Sequence, residues 1–379
     1  MGRLSLVLAD RDKDYLAKFE KFLMINYPQR FELFSFSSFN KLSEFLNIPD
    51  KRDILLINSN LYNKELQMKD IEAVVFLSGD NAEHTPEGFE TINKYRHAEM
   101  LITDVLRIYA ARSPRAYAVS GNANTRFVGV YSPAGGTGKS SIAAGCSILC
   151  ARSGLKTFYL NLEEVPSTSL FFYCEAEQSF SNVIYHLKGK GKNLCLKLEG
   201  AKCRDMKTGV HFFSPPDSIL EMDELSDQDV VLLLNELKAS ATYDTIFIDM
   251  SCGLNQRNAA ILNLVDVIIL IFVPGDISII KMKELKAGFN MLEHKYGMKL
   301  ANRTVTILNR QNKKGSDSSK TAFSNNSPVI EIGEYISQET SGHASNLTEN
   351  VAFLSTLNKL LECVLPQGVP AHNGGEFNA

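Results

Sequence analysis

The sequence predicts an α/β protein with two doubly wound domains, each a mainly parallel sheet covered by helices. Three observations predict this. A chain of 379 residues suits two domains, or three. Short apolar runs rich in β-branched and aromatic residues recur with amphipathic segments between them, the pattern of parallel strands and crossover helices. A stretch without periodicity, 113–125, mixes Pro, Gly, Ser and Asn and divides two such series as a linker.

The first series occupies 1–112. LSLVLAD (4–10) reads as a strand and DYLAKFEKFLMINY (14–27) as an amphipathic helix. The strand FELFSFS (31–37) precedes the helix FNKLSEFL (39–46), and DILLINS (53–59) and AVVFLSG (73–79) are buried strands. ETINKY (90–95) is a weaker fifth strand, and HAEMLITDVLRIYAAR (97–112) is a closing helix. The second series, 126–365, has strand-like runs at 126–132, 157–162, 211–215, 244–250, 266–273 and 304–310, and closes on the helix FLSTLNKLLECVL (353–365). The stretch 315–328 reads as a loop and 366–379 as a loose tail.

Composition narrows the classes further. With 44% hydrophobic and 22% charged residues the chain has the makeup of a folded globular protein. Its net charge of −3 supplies no general basic face for nucleic acid, although 186–207 is locally lysine-rich and reads as a solvated face or a docking patch. The seven cysteines form no CxxC pair or His/Cys cluster, so the sequence suggests neither a disulfide framework nor a zinc site, and a reducing, cytoplasmic setting is expected. The N-terminal apolar run breaks into charge, unlike a secretory signal. The longest apolar run, 265–274, is too short for a bilayer and suits a buried strand.

The strongest chemical signal is RFVGVYSPAGGTGKSSIAAGCSILCARSG (126–154). A buried strand enters Gly135-Gly136-Thr137-Gly138-Lys139-Ser140-Ser141, and a helix of small residues follows. Glycines let backbone N–H groups curl around an anion, and a helix N-terminus adds partial positive charge. In this pattern Lys139 reaches the β- and γ-phosphates and the Ser140 hydroxyl ligates Mg²⁺.

The GGxGK[ST] pattern resembles the deviant Walker A loop of the MinD/ParA superfamily of P-loop ATPases. That resemblance implies a P-loop NTPase domain, with ATP and Mg²⁺ as cofactors and a homodimer as the working form. YDTIFIDMSCG (243–253) is similar to the family's Walker B strand and switch, which implies Mg²⁺ held by Asp249 through water and Gly253 facing the γ-phosphate. NLEEVPS (161–167) lies where the family has an Asp-x-Asp switch. Asn161 stands first and Glu163 second, which makes Glu163 the candidate for orienting the attacking water. ILNR (307–310) matches the strand end beside the adenine, giving Asn309 with its neighbour Arg310 as base-recognition candidates. The family's signature lysine, before the glycine pair, is Ala134 here, so nucleotide binding is expected with slow or absent hydrolysis.

The first domain is similar to a response-regulator receiver of the flavodoxin-like kind. Asp10 matches one acidic position but Arg11 replaces the second. Asn58 replaces the phosphate acceptor, while Ser78 and Lys94 fit the remaining positions. An amide cannot form an acyl phosphate, so a protein-interaction role is expected. An atypical receiver ahead of an altered MinD/ParA-like ATPase resembles the TadZ/CpaE group. That group implies a localisation factor for tight-adherence (Flp, type IVb) pilus machinery, recruited to a cell pole or the inner membrane face through other pilus-assembly proteins. The alternatives are an active partitioning or positioning ATPase and a docking scaffold with a relic nucleotide site. A nitrogenase-reductase-like iron–sulfur ATPase using Cys174 and Cys252 is a weaker one. The tail has no basic amphipathic stripe, so direct membrane insertion is not expected.

Overall fold

The computed structural model describes residues 3–27, 30–79, 86–113, 125–175, 178–189, 193–240, 242–311, 329–333 and 351–365. Residues 114–124, the stretch 315–328 and the tail 366–379 lie outside the described residues. The chain divides into two compact units, Met1–Gly121 with Lys190–Ala201, and Asn122–Gly189 with Lys202–Ala379.

The first unit contains β1 (Leu4–Ala9), α1 (Lys13–Asn26), β2 (Phe31–Phe36), α2 (Phe39–Leu46), β3 (Arg52–Asn58), β4 (Ile71–Ser78), β5 (Glu90–Asn93) and α3 (Ala98–Arg112). Its strands are all parallel, in the order β2-β1-β3-β4-β5. The two-residue period of a strand sends alternate side chains to opposite faces. Leu4, Leu6, Leu8, Ile54, Leu56, Val75 and Leu77 therefore pack with α1 and α3 on one side. Val7, Ala9, Leu55, Ile57, Val74 and Phe76 pack with Leu42 of α2 on the other. Both faces are covered, which is why these strands are near-continuous apolar runs. Asp12 caps α1 by accepting from the Tyr15 N–H at 3.0 Å.

From residue 126 onward the elements are β6 (Arg126–Tyr131), α4 (Lys139–Arg152), β7 (Thr157–Leu162), α5 (Phe180–Lys188), α6 (Leu194–Ala201), β8 (Lys202–Arg204) and β9 (His211–Phe213). There follow α7 (Leu220–Glu224), α8 (Asp227–Ala239), β10 (Thr245–Met250), α9 (Gln256–Leu264), β11 (Val267–Phe272) and α10 (Asp276–Tyr296). Last come β12 (Thr304–Gln311), β13 (Val329–Gly333) and α11 (Val351–Val364). All but α6 belong to the second unit. Its sheet runs β13-β12-β11-β6-β10-β7-β9-β8, parallel throughout except for the antiparallel β8–β9 edge. On one face, Val128, Val130, Phe247, Ile269 and Ile307 pack against α4 and α11. Among the described residues no helix is long and apolar enough to cross a membrane.

Two features depart from the sequence reading. Cys174 and Cys203 are joined as a disulfide with Cα atoms 6.1 Å apart, where unpaired cysteines were expected. Their separation of 29 residues is no recognised motif, and the fold alone brings them together. Part of the stretch 186–207, expected as a solvated face or a docking patch, is also buried, although Lys188 and Lys207 are exposed. Seven of the eight residues of α6 are buried, only Lys197 being partly exposed, and the helix packs on α3 in the first unit.

Candidate functional site

In an open parallel sheet, ligand sites form at the carboxyl ends of strands. Here β12, β6, β10 and β7 end in the motifs singled out above. The segment after β6 contains Gly135, Gly136 and Gly138, and φ values of +69° at Gly136 and +92° at Gly138 turn it into the start of α4. A side chain at Gly138 would be strained. A Cβ there would lie 2.5 Å from Asn309 Nδ2, in a backbone conformation L-residues rarely adopt. Thr137 is buried, and its carbonyl accepts from Asn309 Nδ2 at 2.8 Å. Asn309 thus clasps the glycine loop from β12, and Arg310 follows it in the left-handed region at φ +58°.

Lys139 opens α4 and is 5% exposed. Its ammonium donates to Cys252 Sγ at 3.2 Å and lies 3.6 Å from Glu163 Oε1. Burial works to lower its pKa, but Cys252, Glu163 and Asp249 outweigh it, so the ammonium is held above its ordinary value. The Ser140 hydroxyl donates to Glu163 Oε2 at 3.1 Å, and Ser167 Oγ to the same oxygen at 3.2 Å. Asn161 Oδ1 accepts from the Glu163 N–H at 2.9 Å, which fixes the turn carrying the carboxylate. The structure therefore brings together Lys139, Ser140, Glu163 and Asp249, while Ser141 follows on α4 and Gly253 lies in the segment after β10.

Asp249 is fully buried. One carboxylate oxygen, Oδ2, accepts from the Tyr159 hydroxyl at 2.8 Å, and the other, Oδ1, is buried with no hydrogen-bond partner. Burial, and then the Glu163 charge, raise its pKa from 3.8 to about 7, while Ser140, Tyr159 and Lys139 pull the other way. A buried oxygen without a partner is costly, and its natural remedy is a cation or an ordered donor. The donor set is all oxygen, as Mg²⁺ prefers. Among the described residues no group of three or more His, Cys, Asp or Glu could hold a metal alone, so a Mg²⁺ here needs phosphate and water oxygens as well.

Sequence reading missed several residues at this site. Tyr159 sits two residues before Asn161 in an apolar run, where an aromatic reads as core, yet its hydroxyl joins Asp249 and accepts from Asn161 Nδ2 at 3.2 Å. On α9, Asn258 Nδ2 donates to Ser251 O, Ser251 Oγ and Gly253 O, pinning the segment after β10. Arg257, 7% exposed, donates to Met222 O at 2.6 Å and to Glu164 Oε1 at 3.2 Å, which ties α9 to the segment after β7. From α10, Lys281 Nζ reaches the carbonyl of Pro133, one residue before Ala134. The iron–sulfur alternative needs Cys174 and Cys252 for a cluster, but Cys174 pairs with Cys203 and Cys252 lies against Lys139.

In the first unit, Asp10 and Lys94 are engaged with each other, and Asn58 is turned to the backbone of β4. Lys94 Nζ donates to Asp10 Oδ2 at 2.9 Å in a buried pair, and Asn58 is 1% exposed with its amide donating to Leu77 O at 3.3 Å. Burial acts to lower the Lys94 pKa, but Asp10 more than compensates and it stands raised.

No protein-family model and no curated protein matches the chain in sequence. Solved structures do match in fold. The septum site-determining protein MinD of Pyrococcus horikoshii OT3, solved with Mg-ADP, superposes with a TM-score of 0.50 at 21% identity over 63% of this chain and 96% of that one. A ParA family ATPase from Chlorobium tepidum TLS gives 0.50 at 18%, over 62% and 98%. The MinC:MinD cell division protein complex of Aquifex aeolicus gives 0.50 at 16%, over 64% and 98%. Over that share the chain has the fold of the MinD and ParA P-loop ATPases.

Proposed function

We propose that the protein binds Mg·ATP and acts as a localisation or assembly factor for tight-adherence pilus machinery of the TadZ/CpaE kind, with hydrolysis slow or absent. The observation that carries nucleotide binding is the convergence of Lys139, Ser140 and an Asp249 with one unpartnered oxygen at the mouth of a glycine loop. The Mg-ADP in the Pyrococcus MinD structure supports the same reading. The loop N–H groups and Lys139 would bind the phosphates, Ser140 and Asp249 would hold Mg²⁺, and Asn309 with Arg310 would border the base. Bound Mg²⁺ would supply positive charge to the phosphates and to the buried carboxylate.

Lys139 and Ser140 are both engaged with Glu163. Phosphates arriving on Lys139 must release that carboxylate, and Glu163 begins the segment that carries the exposed apolar residues Val165, Leu170 and Tyr173. Leu254, after Gly253, is exposed as well. Nucleotide occupancy thereby sets the conformation of an apolar surface suited to a second copy or to other assembly proteins. The absence of a lysine at 134 supports slow turnover, since a cation at the transferring phosphate contributes about 10³–10⁵ in rate in analogous enzymes. The Asp10–Lys94 pair and Asn58 support a first domain that binds partners without phosphorylation.

Titration calorimetry of Mg·ATP into wild type and Lys139→Ala, with mass by light scattering, tests this. Binding by wild type alone is expected, with dimer mass in the nucleotide-bound sample. Absence of binding in both would reduce the loop to a relic.

A further inference from the structure

The first unit is completed by a helix from far along the chain. Its sheet and α3 end by residue 112, yet α6 is packed on α3 and Leu196, fully buried, joins the core cluster of Leu101, Val105, Ile108 and Tyr109. Four kinds of contact hold it. Leu196 is apolar. Glu199 forms a buried ion pair with Arg30, which precedes β2. Gly200 lies so close to α3 that a Cβ would stand 2.9 Å from Arg107 Cβ and 3.1 Å from its Cα. Asn193, at φ +62°, donates its side-chain N–H to the carbonyl of Ser113 at 3.1 Å.

Leu196, Glu199 and Gly200 are spaced i, i+3, i+4, so they share one face of the helix. The receiving surface matches that face in order: an apolar cluster, the Arg30 guanidinium and the base of the Arg107 side chain. A passing connection needs only length and solubility. This one has a buried carboxylate set against a buried guanidinium, which is costly unless the two are paired.

We propose that the first unit is a receptor for the segment 193–201, and that docking of α6, rather than the connecting stretch 113–125, holds the two parts of the chain together. The occupant is specific: a short helix presenting a leucine, a carboxylate three positions on, and a glycine next to it. A unit without a phosphate acceptor thus keeps one binding task, directed at its own chain.

The test uses the full chain with a protease site placed within 114–124 and cut after purification. Nicked wild type is expected to stay together and elute on gel filtration as the uncut chain does. Glu199→Arg should weaken retention by about 100-fold or more, the scale expected for stranding a buried charge. Arg30→Glu combined with Glu199→Arg should restore it. Mg·ATP binding by the variants checks that the second unit is folded. If Glu199→Arg does not fold, Leu196→Ala decides instead, with retention reduced at least about 10-fold. Separation of nicked wild type overturns the proposal. So does wild-type retention in Glu199→Arg or Leu196→Ala.

Discussion

Replacing Asp249 by Asn should stabilise the ligand-free protein, and by more as pH rises. Asp249 is fully buried, and its carboxyl is held at about 7 against an ordinary 3.8, first by burial and then by Glu163. Because the folded value lies above the unfolded one, the folded state binds this proton more tightly. The contribution to stability is therefore unfavourable and grows as pH rises from 3.8 to about 7; it is absent below and constant above. At about 1.4 kcal/mol per pH unit the full penalty is roughly 4 kcal/mol, of which roughly 3 develops between pH 5 and 8. An amide never ionises and escapes it. Whatever hydrogen bonds Asn gains or loses with Tyr159 and Ser140 offset the two proteins by a constant, so the pH slope carries the test. Urea unfolding of both proteins at pH 5, 6, 7 and 8, without nucleotide and with a chelator, measures it. The stability gap in favour of Asp249→Asn should widen with pH and level off above about 7. A gap that is constant across the range, or narrows, refutes the reasoning. Mg·ATP should close the gap by stabilising wild type alone, since binding to the native state adds stability by mass action.

Other expectations follow from the same site. Tyr159→Phe removes the donor that orients Asp249, so the Mg²⁺ concentration needed to support ATP binding should rise about 10-fold, with Mg-free nucleotide affinity unchanged; calorimetry at graded Mg²⁺ reads both. Ala134→Lys restores a cation before the glycine pair, and phosphate release should accelerate at least about 10-fold, a fraction of what such charges contribute elsewhere. An unchanged rate would remove the missing lysine as the cause of slow turnover. Gly138→Ala forces a Cβ onto Asn309 at positive φ and should cost about 1–3 kcal/mol in urea unfolding, together with weaker ATP binding.

The strands were legible because burial on both faces writes them as continuous apolar runs, as in VIILIF of β11, and the glycine loop because its geometry demands glycines in series. Two short strands were not. β8 has three residues, and β13 lies beyond a polar stretch. Tyr159 was hidden by its own chemistry, since a tyrosine in an apolar strand has the signature of a core residue and only its partner reveals the hydroxyl's use. Arg257 carried no signal in the sequence, yet it is buried and bridges α7 and the segment after β7. Periodicity reports local geometry and carries nothing about which distant surface receives a side chain. For the same reason LCLKLEGA gave no sign that it finishes a core begun at residue 4.

That last feature bears on how the protein is made. A ribosome releases the chain from its N-terminus, and an ordinary N-terminal domain closes soon after its own last helix emerges. Here α3 ends at Arg112, and α6 is complete only at Ala201, about 90 residues later. At roughly 5–20 residues per second, that delay is about 4–18 s. Throughout it the nascent unit shows the tunnel exit an apolar face with a buried-type arginine at its edge. Burial of that face waits for α6 to emerge.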